Sequence, residues 1–474
     1  MTNVFGFLEK ERKNPPYREL KERVKDYKEV TTKLNKQELT DQAERCMDCG
    51  IPFCHSYGCP LANLIPEWND AVYHGQWKEA YERLELTNNF PEFTGRICPA
   101  VCESACTLAI NTDAVTIKEL ELNIIETAFK DGLVLPHPPK EESGKSVAVI
   151  GGGPSGLAAA QQLRRQGHRV SLFEKSTKTG GLLRFGIPDF KLDKSVIDRR
   201  LNILEAEGIG FEVGVEIGKD ISVSYLKNKF DAILVTVGAG EPRNLPVDGR
   251  ELDGVHYAME FLASSNKFVS GELDEPLINA KGKNVLVIGG GDTGSDCVGT
   301  SIRQGAKSVH QYEIMPKPME WKKSNNPNWP DWPQILRTSS SHLEGCVRKW
   351  NVTTDNFSGK DGKLTTAHLA NIEWKKSENG GRPDMVKLDS FDLDVDLVFL
   401  AMGFVHLQHG TFTEQLIAEG AELDGRGNLK VDNFKVTNNG IFAAGDAVSG
   451  ASLVVRAIAS GREAAESINN YLSK

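Results

Sequence analysis

The sequence predicts an α/β chain in which two doubly wound, parallel-sheet units follow a cysteine-rich helical segment. Three observations predict it. Val147-Ala148-Val149-Ile150 and Val285-Leu286-Val287-Ile288 each read as a buried parallel strand that runs into a glycine cluster and then a helix pattern. Two further apolar runs, at residues 232–237 and 397–402, end alike and suggest an internal duplication. Seven of the nine cysteines (46, 49, 54, 59, 98, 102 and 106) precede residue 110.

The 474 residues are enough for about three domains. Composition is that of an ordinary soluble globular protein, with 26% charged residues and a mean hydropathy of −0.35. A net charge of −9 argues against nucleic acid or an anionic membrane surface as the main partner. Residues 1–30 are charged, without the apolar stretch of a signal peptide, and no later run is long enough to span a bilayer. The expected compartment is the cytoplasm.

Residues 1–40 are polar, with helical patterns from Tyr17 to Tyr27 and from Lys36 to Arg45, and a break at Pro15-Pro16. A solvated leader and a docking surface fit equally well. Then come Cys46-x2-Cys49-x4-Cys54-x4-Cys59-Pro60, about forty residues with three short helical patterns, and Cys98-Pro99-x2-Cys102-x3-Cys106. In a reducing compartment such crowding reads as metal or cluster ligation rather than disulfides. Structural zinc favours two separated C-x2-C pairs, and only one is present. Iron–sulfur ligation uses a close run of cysteines plus a distant one, often marked by Cys-Pro. Seven thiolates suit two [4Fe-4S] clusters with one non-cysteine ligand: Cys46, Cys49, Cys54 and Cys106 on one, Cys59, Cys98 and Cys102 on the other. An amphipathic helix from Thr116 to Phe129 follows, and the Pro-rich stretch 135–144 reads as a linker. Residues 1–140 thus form the first expected domain.

In the first unit Gly151, Gly153 and Gly156 fit G-x-G-x-x-G, opening a helix at Pro154-Ser155. The first glycine permits a tight turn, the second lets the backbone approach a pyrophosphate, and the third lets helix pack on strand, with the phosphates on the helix's positive end. A second strand ends in Glu174, with Lys175 after it; Glu174 lies 23 residues beyond Gly151, where an acid would take a ribose 2′-hydroxyl. A glycine turn without a nucleotide is the plain alternative. The loop Gly180-Gly181-Leu182-Leu183-Arg184-Phe185-Gly186-Ile187-Pro188 is expected to pass close to a flat ligand, with Gly181, Leu182, Arg184, Gly186, Ile187 and Pro188 at it. The strand at 232–237 closes this unit at Gly238. Near the end, a strand leads into Gly445-Asp446 and a helix from Leu453 to Leu472. Asp446 is expected at a ribityl chain, a simple helix cap being the alternative, and the helix dipole would stabilise negative charge on a flavin.

Gly289, Gly291 and Gly294 repeat the fingerprint, with Asp292 and Thr293 between them, and Glu313 stands 24 residues after Gly289. A second Rossmann-like domain is therefore expected at 282–400, inserted into a flavin domain made of 141–281 and 401–474. Two dinucleotides in one chain is the layout of a flavoprotein trading hydride with a nicotinamide. Residues 315–342 read either as a solvated loop or as a lid whose Lys317, Lys322 and Lys323 meet the 2′-phosphate of NADPH, whereas Glu313 favours NADH. No cysteine pair follows residue 106, and Cys297 reads as a small core residue. Electrons therefore lack a thiol exit beside the flavin, and the N-terminal clusters become the way out. Catalysis is expected to rest on positioning and electrostatics, with no acid–base residue assigned.

Several stretches resemble the small (beta) subunit of bacterial glutamate synthase. They are Gly6-Phe7-Leu8-Glu9, Cys46-Met47-Asp48-Cys49-Gly50-Ile51-Pro52-Phe53-Cys54-His55, Gly58-Cys59-Pro60-Leu61, Asn88 to Ala100, Gly180 to Pro188 and Arg337-Thr338-Ser339-Ser340-Ser341-His342. The resemblance covers nearly the whole chain. It implies an adrenodoxin-reductase-like FAD and NADPH fold behind a helical Fe–S domain. It also implies a large (alpha) partner subunit that makes L-glutamate from L-glutamine and 2-oxoglutarate. The related part of dihydropyrimidine dehydrogenase uses a glutamine as the non-cysteine ligand, and Glu121 is the matching position. The chain departs from the family pattern at Met402, where an Ala-Thr-Gly triplet is common, and at Gly294, where alanine is common. Alternatives are a subunit of a ferredoxin:NADP oxidoreductase or of a pyrimidine-reducing complex, and a zinc-bearing scaffold with vestigial nucleotide sites.

Overall fold

In the computed structural model, which describes residues 3, 5–377 and 380–473, thirteen strands form three sheets. Met1 and Thr2 lie outside the described residues. In chain order the strands are β1 (Ser146–Ile150), β2 (Arg169–Glu174), β3 (Gly210–Val213), β4 (Ala232–Val235), β5 (Val255–Tyr257), β6 (Asn284–Ile288), β7 (Ser308–Glu313), β8 (Val347–Trp350), β9 (Val352–Lys360), β10 (Lys363–Lys375), β11 (Asp384–Asp394), β12 (Leu397–Leu400) and β13 (Ile441–Ala443). The first sheet runs β13-β4-β1-β2-β3 and the second β5-β12-β6-β7-β8, all parallel. In each, the strand before a glycine fingerprint sits third in the order, between the strand ending in a carboxylate and the strand ending in a glycine. The apolar runs β1, β4 and β12 are buried on both faces, as a sheet covered by helices on each side requires.

Strand β5 corrects the boundary expected at residue 281. It pairs in parallel with β12, Val255 opposite Val398, and the helix after it (Ala258–Val269) stacks Phe261 on Phe399 of that strand at 4.0 Å. The crossing between units thus lies before residue 255. There two connections run side by side, Glu241 N–H donating to His406 O and Val405 N–H to Glu241 O.

The antiparallel sheet β11-β10-β9 was not foreseen in the sequence. Its signal was present: Asp361 and Gly362, both at positive φ (52° and 77°), join β9 to β10 in a two-residue turn.

The N-terminal region corrects another expectation. Only Leu20–Arg23 is helical in the stretch from Tyr17 to Tyr27, and the chain on either side is tied down by Tyr17, bridged to Thr31, and by Val30 N–H, bonded to Phe190 O. The segment is no solvated leader. Arg23 is buried and reaches Glu344, which also pairs with Arg303 of the second unit. Beyond it, the expected three helices between the cysteine groups are Ile65–Tyr73, Trp77–Thr87 and Pro91–Ile97, packed with Ile117–Lys130 around a core of Trp68, Leu84, Leu120 and Ile124.

Candidate functional site

The first glycine loop is shaped by close approach. Gly151 has φ +106°, and a Cβ there would lie 2.5 Å from Thr236 O, while one on Gly156 would lie 2.0 Å from Gly151 O. Gly153 is different. Its φ is −77° and nothing of the protein lies within 4 Å of a Cβ built on it. Gly291 of the second loop is the same, with φ −80° and open space before it. Packing therefore does not require glycine at either position, whereas a phosphate resting on the helix N-terminus does. Ser155 Oγ, one residue into the first helix (Pro154–Arg165), is buried and finds no hydrogen-bond partner among the described residues. These features fit a bound pyrophosphate.

Glu174 and Glu313 play matching parts. Glu174 accepts from Gly152 N–H at 2.9 Å and Ser176 N–H at 2.8 Å; Glu313 accepts from Gly290 N–H at 2.6 Å and Met315 N–H at 3.0 Å. Each carboxylate so fixes its glycine loop from the neighbouring strand and keeps unused lone pairs. Lys175 is exposed beside Glu174.

The loop at 180–188 lies against the first glycine loop: Gly180 N–H donates to Gly152 O, and a Cβ on Gly181 (φ +52°) would be 2.9 Å from Gly153 Cα. Leu182 is exposed. The Arg184 guanidinium turns inward, bonding Thr179 O at 2.7 Å and Asp198, so its visible work is to shape the loop. Gly186 packs on Leu182 and Met259. Ile187, ahead of Pro188, gives its carbonyl to Lys194 and Asn266, tying the loop to both units. Gly238 and Gly403, at φ +74° and +80° with open space around them, end β4 and β12 in the same way.

The split first unit is closed by the C-terminal helix (Val454–Leu472). Gly461 lies where a Cβ would be 2.1 Å from Ser155 O, so this helix meets the start of the first one. Gly445 (φ +69°) sits on Ser155, and Asp446 follows at the head of a short turn, its carboxylate accepting from Ser452 Oγ at 2.7 Å. Burial raises the Asp446 pKa. In the second helix (Asp292–Arg303), Asp292 is exposed and Thr293 half-buried at the N-terminus, and Gly294 packs under Gly289 O.

The seven N-terminal cysteines are free thiols gathered around two cavities. One is lined by Cys46, Cys49, Cys54 and Cys106. The other is lined by Cys59, Cys98, Cys102 and Glu121. Ile65 and Ile117 belong to both walls, so the cavities are adjacent, and Val455 of the C-terminal helix lines the second. Burial pushes Cys46 and Cys59 up to about 11 and Cys98 to about 12, with Cys54, Cys102 and Cys106 also raised. Thiols so desolvated become thiolates when a bound cation compensates the charge. Among the described residues no three His, Cys, Asp or Glu side chains converge on a single ion. Rings of sulfur opening around a cavity fit a cube of iron and sulfide.

Backbone strain collects here. Asp48, Ala62 and Ala100 hold φ of 45°, 49° and 66°, each within three residues of a lining cysteine, at a cost of roughly 1–3 kcal/mol apiece. Glu121 takes hydrogen bonds from Asn88 Nδ2 at 3.0 Å and from Thr94, and burial lifts its pKa to about 7. Glu119, one turn-edge away, bonds Asn123 instead and lines neither cavity. The stretch Asn88 to Phe93 proves to be a joint: Asn88 holds Glu121, Asn89 bonds Gln161 and Arg462 of the first nucleotide unit, and Glu92 pairs with Arg200. Sequence reading singled out the stretch without a role for its members.

In residues 315–342, Lys317 pairs with Glu320, and Lys323 lies over Trp321. The segment docks on the cysteine domain, Trp329 Nε1 donating to Cys106 O at 3.1 Å and its ring 4.9 Å from Phe53.

Residues 23–133 match the family model for dihydropyrimidine dehydrogenase domain II, 4Fe-4S cluster, and residues 145–461 match that for pyridine nucleotide-disulphide oxidoreductases. Over 100% of its length the chain is 49% identical to the glutamate synthase [NADPH] small chain of Mycobacterium tuberculosis, covering 96% of that protein. It is 43% identical to the Bacillus subtilis small chain, with 98% of each covered. It is also 43% identical to 22% of the glutamate synthase [NADH] of Saccharomyces cerevisiae. Among solved structures, FprA of Mycobacterium tuberculosis in complex with NADPH superposes with a TM-score of 0.54 at 17% identity, over 69% of this chain and 85% of that one, which shows the fold.

Proposed function

The chain belongs to the family of glutamate synthase small chains, and we propose that it is the electron-input subunit of such an enzyme, an oxidoreductase that takes electrons from NADPH and delivers them to a large subunit forming L-glutamate. The observation that carries this reading is the arrangement of two open phosphate cradles and two thiol-lined cavities in one chain, with Val455 lining the cavity of Cys59, Cys98, Cys102 and Glu121.

FAD would rest at the first loop, on Gly151, Gly153 and Gly156, with Glu174 at its ribose and Asp446 at its ribityl chain. NADPH would rest at Gly289, Gly291 and Gly294. FAD supplies the exchange between a two-electron hydride donor and one-electron acceptors, and the cubane clusters supply the acceptors. The protein's own part is to hold and to exclude. Backbone N–H groups at two helix N-termini receive phosphate charge. Eight side chains, seven thiolates and Glu121, would hold two [4Fe-4S] clusters, and Asn88 and Thr94 orient Glu121 by hydrogen bonds to one oxygen. Ile65 and Ile117 keep the shared wall dry. The cavity of Cys59 meets the flavin domain at Val455, and that of Cys54, close in sequence to exposed Ile51 and Tyr57, would face the partner. No described helix is long and apolar enough to cross a membrane, and we place the subunit in the cytoplasm.

Protein purified without oxygen should carry FAD and about eight iron atoms, four for each cubane. It should reduce an artificial dye with NADPH yet make no glutamate until a large subunit is added. A colourless protein, or one containing zinc and no sulfide, would defeat this reading.

A further inference from the structure

The second glycine loop is held by a relay that the first loop lacks. Gln311 and Glu313, two apart on β7 and therefore on one face of the sheet, clasp a single peptide unit. Gln311 Nε2 donates to Gly289 O at 2.8 Å, and Glu313 accepts from Gly290 N–H at 2.6 Å. Gln311 is in turn bonded, through Oε1, to His342 Nε2 at 2.7 Å. His342 Nδ1 faces the Ser339 N–H at 3.1 Å, and Ser339 Oγ lies 2.6 Å from Ser295 Oγ on the helix that the glycine loop opens.

The ends of this relay fix its polarity. Ser339 N–H can only donate and Gly289 C=O can only accept. His342 must therefore be neutral with its proton on Nε2, and the Gln311 amide can point only one way. Burial, with Arg348 and Lys191 nearby, lowers the His342 pKa to about 4, in keeping with that state. The first loop meets the same need differently, since the Thr236 hydroxyl donates to Gly151 O at 3.0 Å. A Cβ at Gly294 would lie 2.4 Å from Gly289 O and 2.6 Å from Gln311 Nε2, so both the loop's own backbone and the relay demand glycine there.

We propose that Gln311 and His342 are positioning residues for the nicotinamide nucleotide, holding the Gly289–Gly290 peptide so that the loop presents its N–H groups to the pyrophosphate. The inference rests on the reading of this loop as the NADPH site. Neither side chain touches the reacting atoms, so affinity rather than turnover should respond.

The test uses the flavin- and iron-loaded protein, reading KM and kcat for NADPH in dye reduction and the dissociation constant of NADP+ by calorimetry. Gln311→Val should raise KM and weaken NADP+ about tenfold, the worth of one well-made hydrogen bond, with kcat and flavin content kept. His342→Ala should do the same, and His342→Gln, which restores a donor near Nε2, should recover most of the loss. The double variant Gln311→Val with His342→Ala should be no worse than either single one, because the two side chains act through one chain of hydrogen bonds. Additive losses, or unchanged KM in both Gln311→Val and His342→Ala, would overturn the proposal. Wild-type protein that neither oxidises NADPH nor binds NADP+ would instead remove the functional reading beneath it.

Discussion

Glu92 and Arg200 join the cysteine domain to the first nucleotide unit through a bidentate ion pair, Nε to Oε1 at 2.6 Å and Nη2 to Oε2 at 3.0 Å, with both side chains buried. The guanidinium also lies over the rings of Phe129 and Phe90. Removing one partner strands a buried charge. Arg200→Met should destabilise the protein by about 3–5 kcal/mol, read by denaturant unfolding, and adding Glu92→Gln should restore much of it.

Gly153→Ala and Gly291→Ala separate folding from binding. Both positions have ordinary φ and nothing within 4 Å of the added methyl. Thermal stability should be kept or slightly raised. Flavin retention should fall in the first variant, and NADP+ affinity in the second, while the reverse assignment would exchange the two sites.

Glu121→Ala should remove iron from one cavity and spare the other. Iron content should drop to about half of the full eight, and the same chain with Cys106→Ser should lose the remaining half. Glu121→Gln should keep more iron than Glu121→Ala, because an amide oxygen still presents a donor.

Trp329→Ala removes the ring that packs on Phe53 and bonds Cys106 O, beside the cavity lined by Cys54 and Cys106. Bleaching of the visible absorption by air should quicken, and the domain should lose about 2 kcal/mol, less than a fully buried tryptophan would cost. Flavin content should not change.

His342 gives a pH signature. Its folded pKa is lowered to about 4, below the usual 6.5, so the unfolded chain binds more protons between these values. Its contribution to stability is whole above pH 6.5 and falls as pH drops toward 4. Comparison of unfolding midpoints for wild type and His342→Gln across that window should show the smaller pH dependence in the variant.

Much of this protein could be read from its residues because the signals were local. The turn at Gly151, the carboxylate 23 residues later and the Cys-x2-Cys49 group depend on neighbours in sequence, and backbone geometry dictates them. The two glycine loops, each opening a helix after a strand, were legible in this way. The sequence could not show that β5 joins the second sheet, for Val255-His256-Tyr257 is too short to carry a pattern and gains its place by pairing with Val398. Nor could it show that Asn88 serves Glu121, that Trp329 reaches Cys106 across 223 residues, or that Gln311 occupies the space an alanine at 294 would need. Those are contacts between distant segments, where burial, unpaired hydrogen bonds and excluded volume decide the partner, and only the folded chain brings them within reach.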